Sequence, residues 1–232
     1  MHTVVDCYKF KRMNKQLLSK PVLIIVYGFP GSGKTFFSRQ FSEEINAANI
    51  NGDQLRYEFF DSPNYSKDED SVVEHLSLFM VSQFLQAGVS VVYDASAIRQ
   101  SQRRILKDLA NRAKAEVLIV WLQIDVESAF LRVVKRDHRK IDDKYNRPLD
   151  RTTFESEINK MQNPGLHEDY VVVSGKHNFI THKNATFKKL YEKGLVNTDT
   201  AESKMVKPEL VNRVPNLLGG RVDATRRNIS IR

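Results

Sequence analysis

One eight-residue stretch constrains the fold of this 232-residue chain more than any other feature of its sequence. It reads Gly28-Phe-Pro-Gly-Ser-Gly-Lys-Thr35 and directly follows the apolar run Val22-Leu-Ile-Ile-Val-Tyr27. Such a run predicts a strand that is buried on both faces. Phe37, Phe41 and Ile45 then recur at helical spacing, which predicts a helix over about 34–47. The stretch is therefore a glycine-rich turn between a buried strand and a helix.

The residue types in this turn are those that a phosphate-binding loop (P-loop) requires. Glycines let the backbone curl so that successive N–H groups point inward, and the following helix places its positive end at the same spot. In a G-x-x-x-x-G-K-T pattern the lysine, here Lys34, reaches the β- and γ-phosphates of a nucleotide, and the hydroxyl of Thr35 binds Mg²⁺. The predicted nucleotide contacts are Gly28, Pro30, Gly31, Ser32, Gly33, Lys34 and Thr35.

Strand and helix patterns alternate along the rest of the chain, which is typical of an α/β fold with a doubly wound parallel sheet. Strands are predicted at 22–27, 48–51, 89–93, 116–124 and 170–174, and helices at 34–47, 54–61, 67–86, 101–114, 126–136, 152–161 and 180–192. We therefore expect a P-loop NTPase fold of the nucleotide-kinase type, with a five-stranded parallel sheet and helices on both faces. The predicted organisation is a leader over 1–20, a domain over 21–194 with a helical lid at about 136–151, and an irregular basic extension over 195–232.

Composition limits the class of protein and its partners. The chain is 41% hydrophobic and 28% charged, it has one cysteine (Cys7), and its longest apolar run is too short to cross a bilayer. With no internal disulfide possible and no signal-peptide pattern at the N-terminus, we expect a cytoplasmic protein without a membrane partner. The net charge of +8 favours anionic partners, among which nucleic acid stays open. No feature indicates an oligomeric state.

Two missing motifs narrow the kind of P-loop protein. The chain has no Asn-Lys-x-Asp sequence, which a GTPase normally carries to bind guanine. The third strand ends Val91-Val-Tyr-Asp94 and continues with Ala95-Ser96, so it lacks the glutamate that motor ATPases use to activate water. Both absences favour ATP as donor and transfer of phosphate to a bound acceptor rather than to water.

Strand two ends in Asn51-Gly-Asp53, with Arg56 shortly after it. Parallel strands all end on the P-loop side of such a sheet, where ligands bind. Asp53 is therefore expected to face the γ-phosphate and to orient or deprotonate an acceptor hydroxyl. The alternative is that Asp53 only caps the next helix. Arg56 is a candidate for holding an anionic group of the acceptor.

Asp94 and an arginine pair complete the candidate site. Asp94 ends strand three and is a candidate for holding Mg²⁺ through water or for orienting the acceptor; alternatively it caps a helix. Arg132 and Arg136 lie four residues apart on one helix face and lead into the charged lid segment, where a mobile arginine would stabilise the transferring phosphate. The alternative is that both are ordinary solvated arginines.

These motifs together resemble a group of small P-loop kinases. The segments Gly28–Thr35, Asn51-Gly-Asp-Gln-Leu-Arg56, Val91–Asp94 and Leu131-Arg-Val-Val-Lys-Arg136 occur in the order and spacing of a group that includes phage polynucleotide 5′-kinase, the zeta toxins and chloramphenicol phosphotransferase. The resemblance spans about 21–193. Segments 136–143 and 174–179 also look like uncharacterised bacterial predicted kinases of this AAA-domain group.

The resemblance implies particular roles for the matching residues. It implies that Asp53 is the general base, that Arg56 holds the acceptor and that Asp94 lies at the acceptor or metal site. It further implies that Arg132 or Arg136 contacts the donor phosphates. It also implies that Gly175 and Lys176 pass beside the adenine. Arg103 belongs to an arginine-containing segment that many members share, and it is assigned to the substrate. The group often has Thr where this chain has Ala95.

The resulting expectation is an ATP- and Mg²⁺-dependent kinase whose acceptor is a hydroxyl of a small molecule, nucleotide or nucleotide sugar. Three alternatives stay open. They are a polynucleotide 5′-hydroxyl kinase, a toxin kinase of the zeta type, and a non-catalytic adaptor that binds ATP and presents its basic extension to RNA or protein. The identity of the acceptor does not follow from the sequence.

Overall fold

The computed structural model describes residues 18–196. Its elements, in chain order, are β1 (Val22–Gly28), α1 (Lys34–Ile45), β2 (Ala48–Asn51), α2 (Gly52–Phe59), α3 (Lys67–Gln86), β3 (Val91–Asp94), α4 (Gln100–Arg112), β4 (Glu116–Gln123), α5 (Val126–Val134), α6 (Arg151–Asn159), β5 (Tyr170–Ser174) and α7 (Phe179–Glu192). All strands are parallel, in the order β2-β3-β1-β4-β5. The predicted fold class is confirmed, and helix and strand ends differ from the prediction by two residues at most. The predicted helical lid is wrong in one respect, because residues 136–150 form turns and irregular structure rather than a helix.

The central strand β1 separates two apolar layers, because successive side chains of a strand point to opposite faces. One layer joins alternate β1 residues to α1 and α7 through Val22, Ile24, Val26, Phe37, Phe41, Phe187 and Leu190. The other joins the remaining β1 residues to α3 and α4 through Leu23, Ile25, Tyr27, Val81, Leu85, Leu106 and Ala110. The continuous apolar run of β1 is thus explained by burial on both faces.

A third, smaller apolar cluster lies at the base of the predicted lid. Ala129 and Val133 of α5 pack against Phe154 of α6 and Ile124, which follows β4. This cluster joins the two helices that flank the charged segment 136–150. The segment is therefore anchored at both ends beside the C-terminal edge of the sheet.

The first and last described residues meet beside α7. Leu18 pairs with Val196 in an antiparallel bridge, and the Ser19 N–H donates to the Leu195 carbonyl at 2.9 Å. Leu18, Leu195 and Val196 are buried in the α1–α7 layer. The predicted leader and basic extension otherwise lie outside the described residues. None of the helices within 18–196 is long and apolar enough to span a membrane.

Replacing Phe187 by Ala should lower the free energy of unfolding by about 3–5 kcal/mol, because Phe187 is buried in the α1–α7 layer and the substitution leaves a cavity. Denaturant unfolding followed by circular dichroism measures this loss. Phe79→Ala is the matched control, since Phe79 is 61% exposed and its loss should change stability by less than about 0.5 kcal/mol. Equal losses in the two variants would contradict this account of the core.

Candidate active site

The P-loop curls as the glycine pattern predicts. Gly31 and Gly33 have φ angles of 81° and 97°, in the left-handed region that glycine adopts without strain. A Cβ on Gly31 would also lie 2.3 Å from the Ala129 carbonyl oxygen, so the loop packs directly on α5. The Lys34 ammonium donates to the carbonyls of Gly28 at 3.0 Å and Phe29 at 2.9 Å, which places it inside the loop. Burial lowers the pKa of Lys34 below its ordinary value.

Asp94 is a buried carboxylate that joins three elements at the C-terminal edge of the sheet. It accepts hydrogen bonds from Asn51 Nδ2 at 2.7 Å, from Ser38 Oγ at 3.3 Å and from the Thr35 side chain. Burial raises its pKa, and the nearby Lys34 charge opposes the rise. Asp94 does not cap a helix, because α4 begins only at Gln100. This alternative from the sequence is wrong.

Thr35 and Asp94 form the part of the site that suits Mg²⁺. Mg²⁺ prefers oxygen ligands and usually binds through one or two carboxylates together with substrate phosphates and water. A hydroxyl at the start of α1 beside a buried carboxylate provides such a donor set. No cluster of three or more His, Cys, Asp or Glu side chains within 18–196 forms a separate metal site. The residues fit a metal that is held largely by the nucleotide phosphates.

Asp53 lies in the first turn of α2 and lines the same cavity as Lys34. Its carboxylate makes no hydrogen bond within the described part of the chain. Burial and the nearby Asp94 charge raise the pKa of Asp53 from 3.8 to about 6, while Lys34 and Arg136 oppose the rise. The helix cap is Asn51, whose Oδ1 accepts the Gln54 N–H at 2.7 Å. Asp53 is therefore a carboxylate facing the cavity and not a helix cap.

Arg56 lies in the cavity wall but is already paired. Its guanidinium donates to Glu69 at 2.9 Å and to Asp70, and it stacks over the Tyr65 ring at 4.9 Å. Glu69 also accepts backbone N–H groups of the loop before α3, so the ion pair fixes this loop against α2. The arginine that was predicted to hold an acceptor anion has its charge balanced by two carboxylates.

The arginines of α5 and the lid contact different parts of the cleft. Arg132 donates to the Gly175 carbonyl at 2.9 Å, and Arg136 donates to the Arg147 carbonyl at 2.9 Å. Both line the cavity, and Arg136 lies near Lys34 and Asp53. The predicted pair therefore shares one cleft, with Arg132 on the β5 side and Arg136 on the lid side.

The lid segment is held against α1 by a two-point ion pair. Arg39 Nε donates to Asp142 Oδ1 at 2.7 Å and Arg39 Nη2 donates to Asp142 Oδ2 at 3.1 Å. The Tyr57 and Tyr145 rings meet with centroids 5.7 Å apart, which adds a contact between the lid and α2. These contacts hold 136–150 against α1 and α2, and Asp142, Asp143, Asn146 and Arg147 of this segment line the same cavity as the P-loop.

Gly175 and Lys176 follow β5 and lie beside the P-loop. A Cβ on Gly175 would lie 2.9 Å from the Ser32 carbonyl oxygen, so only glycine fits this approach without displacement. Lys176 forms an ion pair with Asp125 at 2.7 Å and lines the cavity. Gly175 therefore lies against the P-loop and Lys176 lines the cavity, while their contact with a nucleotide stays a prediction.

The structure does not support the predicted substrate contact of Arg103. Its side chain is buried, and it donates to both carboxylate oxygens of Glu168, at 2.7 and 3.0 Å. Further donors bind the carbonyls of Ala97 at 3.1 Å and Gln162 at 2.9 Å. Arg103 lies outside the cavity wall, where it fastens the segment after α6 to the loop before α4.

The loop, the two aspartates and the arginines share one cavity of about 1230 Å³. Its walls also include residues that sequence reasoning missed, notably Glu157 of α6 and Glu74, Tyr93 and Gln102 on the side away from the P-loop. Burial raises the pKa of Glu157, whose carboxylate lies 3.7 Å from Arg147. The cavity is large enough for a nucleotide and a second substrate.

Comparison with protein families gives one match, to the AAA domain family AAA_33, over residues 23–163. The chain belongs to this family. The match begins at the second residue of β1 and extends beyond α6, and so includes the P-loop, Asp53, Asp94, Arg132 of α5, Arg136 and the lid.

Several known proteins that are similar to this chain carry the name kinase. L-seryl-tRNA(Sec) kinase of Methanococcus maripaludis is 25% identical over 122 residues, which are 51% of this chain and 47% of that protein, so the similarity spans about half of the relative. APS kinase of Mycobacterium tuberculosis, solved with AMPPNP and APS, has a TM-score of 0.54 at 14% identity, over 74% of this chain and 98% of its own. Kti12 of Chaetomium thermophilum, solved with ADP-AlF3, has a TM-score of 0.57 at 19% identity. The match covers 73% of this chain and 97% of the Kti12 chain. The two solved structures show a shared fold.

Replacing Asp53 by Asn should stabilise the protein at pH 8 but not at pH 4. Because the folded-state pKa lies above the unfolded value, the stability that protonated Asp53 contributes at low pH is lost as pH rises through about 6. The asparagine of the variant cannot ionise. Its free energy of unfolding should therefore exceed that of the wild type by about 1–3 kcal/mol at pH 8. Urea unfolding at both pH values measures it, with the exposed Asp61→Asn as control. An advantage that is equal at both pH values would contradict the burial account.

Proposed function

We propose that this protein is an ATP- and Mg²⁺-dependent kinase that transfers the γ-phosphate to a hydroxyl of a small molecule, nucleotide or nucleotide sugar. The observation that carries the proposal is the position of Asp53. It is a carboxylate without a hydrogen-bond partner in the described chain, its pKa is raised to about 6, and it shares one cavity with Lys34 and Arg136. A base that titrates near neutral pH beside a phosphate-binding loop suits phosphoryl transfer to a hydroxyl.

In the proposed reaction the P-loop amides and Lys34 hold the β- and γ-phosphates of ATP. Mg²⁺, held by the Thr35 hydroxyl and Asp94 together with the phosphates, would neutralise charge on them. Asp53 accepts the proton of the acceptor hydroxyl while the oxygen of that hydroxyl attacks the γ-phosphorus. The bond from the γ-phosphorus to ADP breaks, and ADP leaves. Arg136 stabilises the negative charge on the transferring group, and the lid excludes water that would otherwise compete.

The family and the kinase relatives support the phosphotransferase class, whereas the acceptor, the donor and the metal are parts of the proposal. Arg132, Gly175 and Lys176 are proposed to line the nucleotide end of the cleft. Because its contact with Gly175 keeps Arg132 beside β5, we assign Arg132 to the nucleotide and Arg136 to the transferring phosphate.

Similarity to L-seryl-tRNA(Sec) kinase favours one second candidate acceptor, a serine hydroxyl that is carried on a tRNA. The same active-site residues would serve it, because the chemistry is again transfer to a hydroxyl. A filter assay with labelled ATP separates the candidates when seryl-tRNA, a 5′-hydroxyl oligonucleotide, nucleosides and sugars are offered in parallel. Label on the oligonucleotide alone would make the protein a polynucleotide kinase.

The decisive variant is Asp53→Asn. It should lower kcat for transfer to the best acceptor by about 10²-fold or more, because the base is removed. The ATP dissociation constant should change by less than about threefold, and Lys34→Ala should abolish ATP binding. The surface variant Asp61→Asn is the matched control and should keep full activity. Full transfer by Asp53→Asn would disprove the base role, and tight ATP binding without transfer to any acceptor would favour an adaptor.

A further inference from the structure

The ring of Tyr65 joins the loop that precedes α3 to the lid segment. Arg147 of the lid lies over this ring, with its guanidinium carbon 4.6 Å from the ring centroid, and Arg56 lies over the same ring at 4.9 Å. Tyr65 is half-buried in the wall of the cavity, and the proposed reaction gives it no role. A guanidinium this close to an aromatic ring is attracted to it. Tyr65 is therefore a direct contact between the loop and the lid.

The backbone of Tyr65 is held in an uncommon conformation. Its φ angle is 55°, in the left-handed region that residues with a side chain rarely adopt. Glu69 accepts the Tyr65 N–H at 2.8 Å, and Asn64 Oδ1 accepts the Ser66 N–H at 2.8 Å. Glu69 is itself buried and paired with Arg56. A non-glycine residue persists in this region where the surrounding contacts hold it. The ring thus extends toward the lid from a fixed backbone.

Arg147 is also the residue of the lid that contacts Arg136. Arg136 Nη1 donates to the Arg147 carbonyl oxygen at 2.9 Å. Pro148 follows Arg147, and a residue before proline is largely restricted to extended backbone conformations. Glu157 of α6 forms a second contact with the Arg147 guanidinium, at 3.7 Å. Because the backbone of Arg147 has few alternatives, contacts that fix its side chain also restrict the position of its carbonyl.

We infer that Tyr65 is a positioning residue whose ring holds Arg147, so that the Arg147 carbonyl holds Arg136 in the cleft. The inference rests on the proposed kinase function, in which Arg136 stabilises the transferring phosphate. A charged donor that is already in place needs no reorganisation when charge develops on that phosphate. Loss of the ring should therefore weaken binding of the transition state and leave binding of the nucleotide nearly unchanged.

The ring of Tyr65, rather than its hydroxyl, makes the contact with the lid. Tyr65 Oη lies 3.5 Å from Tyr57 Oη, at the long limit of a hydrogen bond. The Tyr57 ring meets Tyr145 of the lid separately, with centroids 5.7 Å apart. Tyr65→Phe would keep the contact with Arg147, whereas Tyr65→Ala would remove it and leave the contact between Tyr57 and Tyr145. These two variants therefore separate the ring from the hydroxyl.

Binding of a transition-state mimic measures the position of Arg136 without turnover. Titration calorimetry of the full chain with ADP and Mg²⁺, with and without aluminium fluoride, gives the extra affinity that the mimic of the transferring phosphate contributes. Tyr65→Ala and Arg147→Ala should each reduce this extra affinity about three- to tenfold, because each removes the contact between the ring and the guanidinium. Affinity for ADP alone should stay within twofold, and Tyr65→Phe should behave like the wild type.

A double variant and a matched control sharpen this measurement. Arg147→Ala keeps the carbonyl that accepts from Arg136, so it tests the guanidinium alone. The double variant should lose no more extra affinity than Arg147→Ala, since both substitutions remove the same contact. Tyr191→Ala is the matched control, because Tyr191 is an exposed tyrosine of α7, and it should bind like the wild type.

Limited digestion with trypsin tests the contact with the lid independently of nucleotide. The lid contains several lysine and arginine residues after which trypsin cleaves, and the bond between Arg147 and Pro148 resists it, so Arg147→Ala removes no site. Tyr65→Ala and Arg147→Ala should raise the rate of cleavage within 136–150 at least threefold, whereas Tyr65→Phe and Tyr191→Ala should not. Thermal unfolding of each variant identifies faster cleavage that arises from global unfolding.

Several results would overturn the inference. They are an unchanged response to aluminium fluoride in Tyr65→Ala, an equal loss in Tyr65→Phe, losses that multiply in the double variant, or lid cleavage in Tyr65→Ala that is as slow as in the wild type. Failure of the kinase proposal has a different signature. A wild type that binds ADP equally with and without aluminium fluoride, and transfers no label, would overturn the kinase proposal and this inference together.

Discussion

The buried carboxylate of Asp94 is the group on which the rest of the site depends. It accepts hydrogen bonds from side chains of α1 and of the β2–α2 junction, and so locks the start of the P-loop helix to the neighbouring strands. A carboxylate in this position is costly unless it is hydrogen-bonded, and three donors meet that need. The same contacts fix the Thr35 hydroxyl beside Asp94, where the proposed metal would bind, and they hold Asn51, which lies two residues before Asp53.

Bringing two carboxylates to one edge of a sheet creates the electrostatic property that the proposed chemistry uses. Asp94 has hydrogen bonds that favour its charged form, whereas Asp53 has none within the described chain and is left with burial and repulsion. The pKa of Asp53 consequently rises to about 6, and Lys34 and Arg136 limit the rise. Two aspartates of the same cleft are thereby suited to different tasks, one to hold position and the other to exchange a proton.

The fold was predictable from the sequence because its information is local. Continuous apolar runs specify strands buried on both faces, and the glycine pattern specifies the loop between β1 and α1. Part of the site was equally local: Asn51, followed three residues later by Gln54, is a helix-start signal that identifies Asn51 rather than Asp53 as the cap. The ion pairs were not predictable in this way. Arg103 meets Glu168, which lies 65 residues away, so its structural role depends on how α4 and the segment after α6 come together.

Arg56 shows how such a pairing alters the chemistry of the cleft. From spacing alone it is an anion-binding arginine, but Glu69 and Asp70 already balance its charge, and Glu69 is buried with it. An anionic acceptor could reach Arg56 by displacing Asp70, whose side chain is 62% exposed, whereas displacing the buried Glu69 would leave that carboxylate without its charge partner at a cost of about 3–5 kcal/mol. An uncharged acceptor imposes no such exchange. The two ion pairs therefore make Arg56 a poorer anion site than its spacing predicts, while Arg99 and Lys160 are exposed cations that line the same cavity.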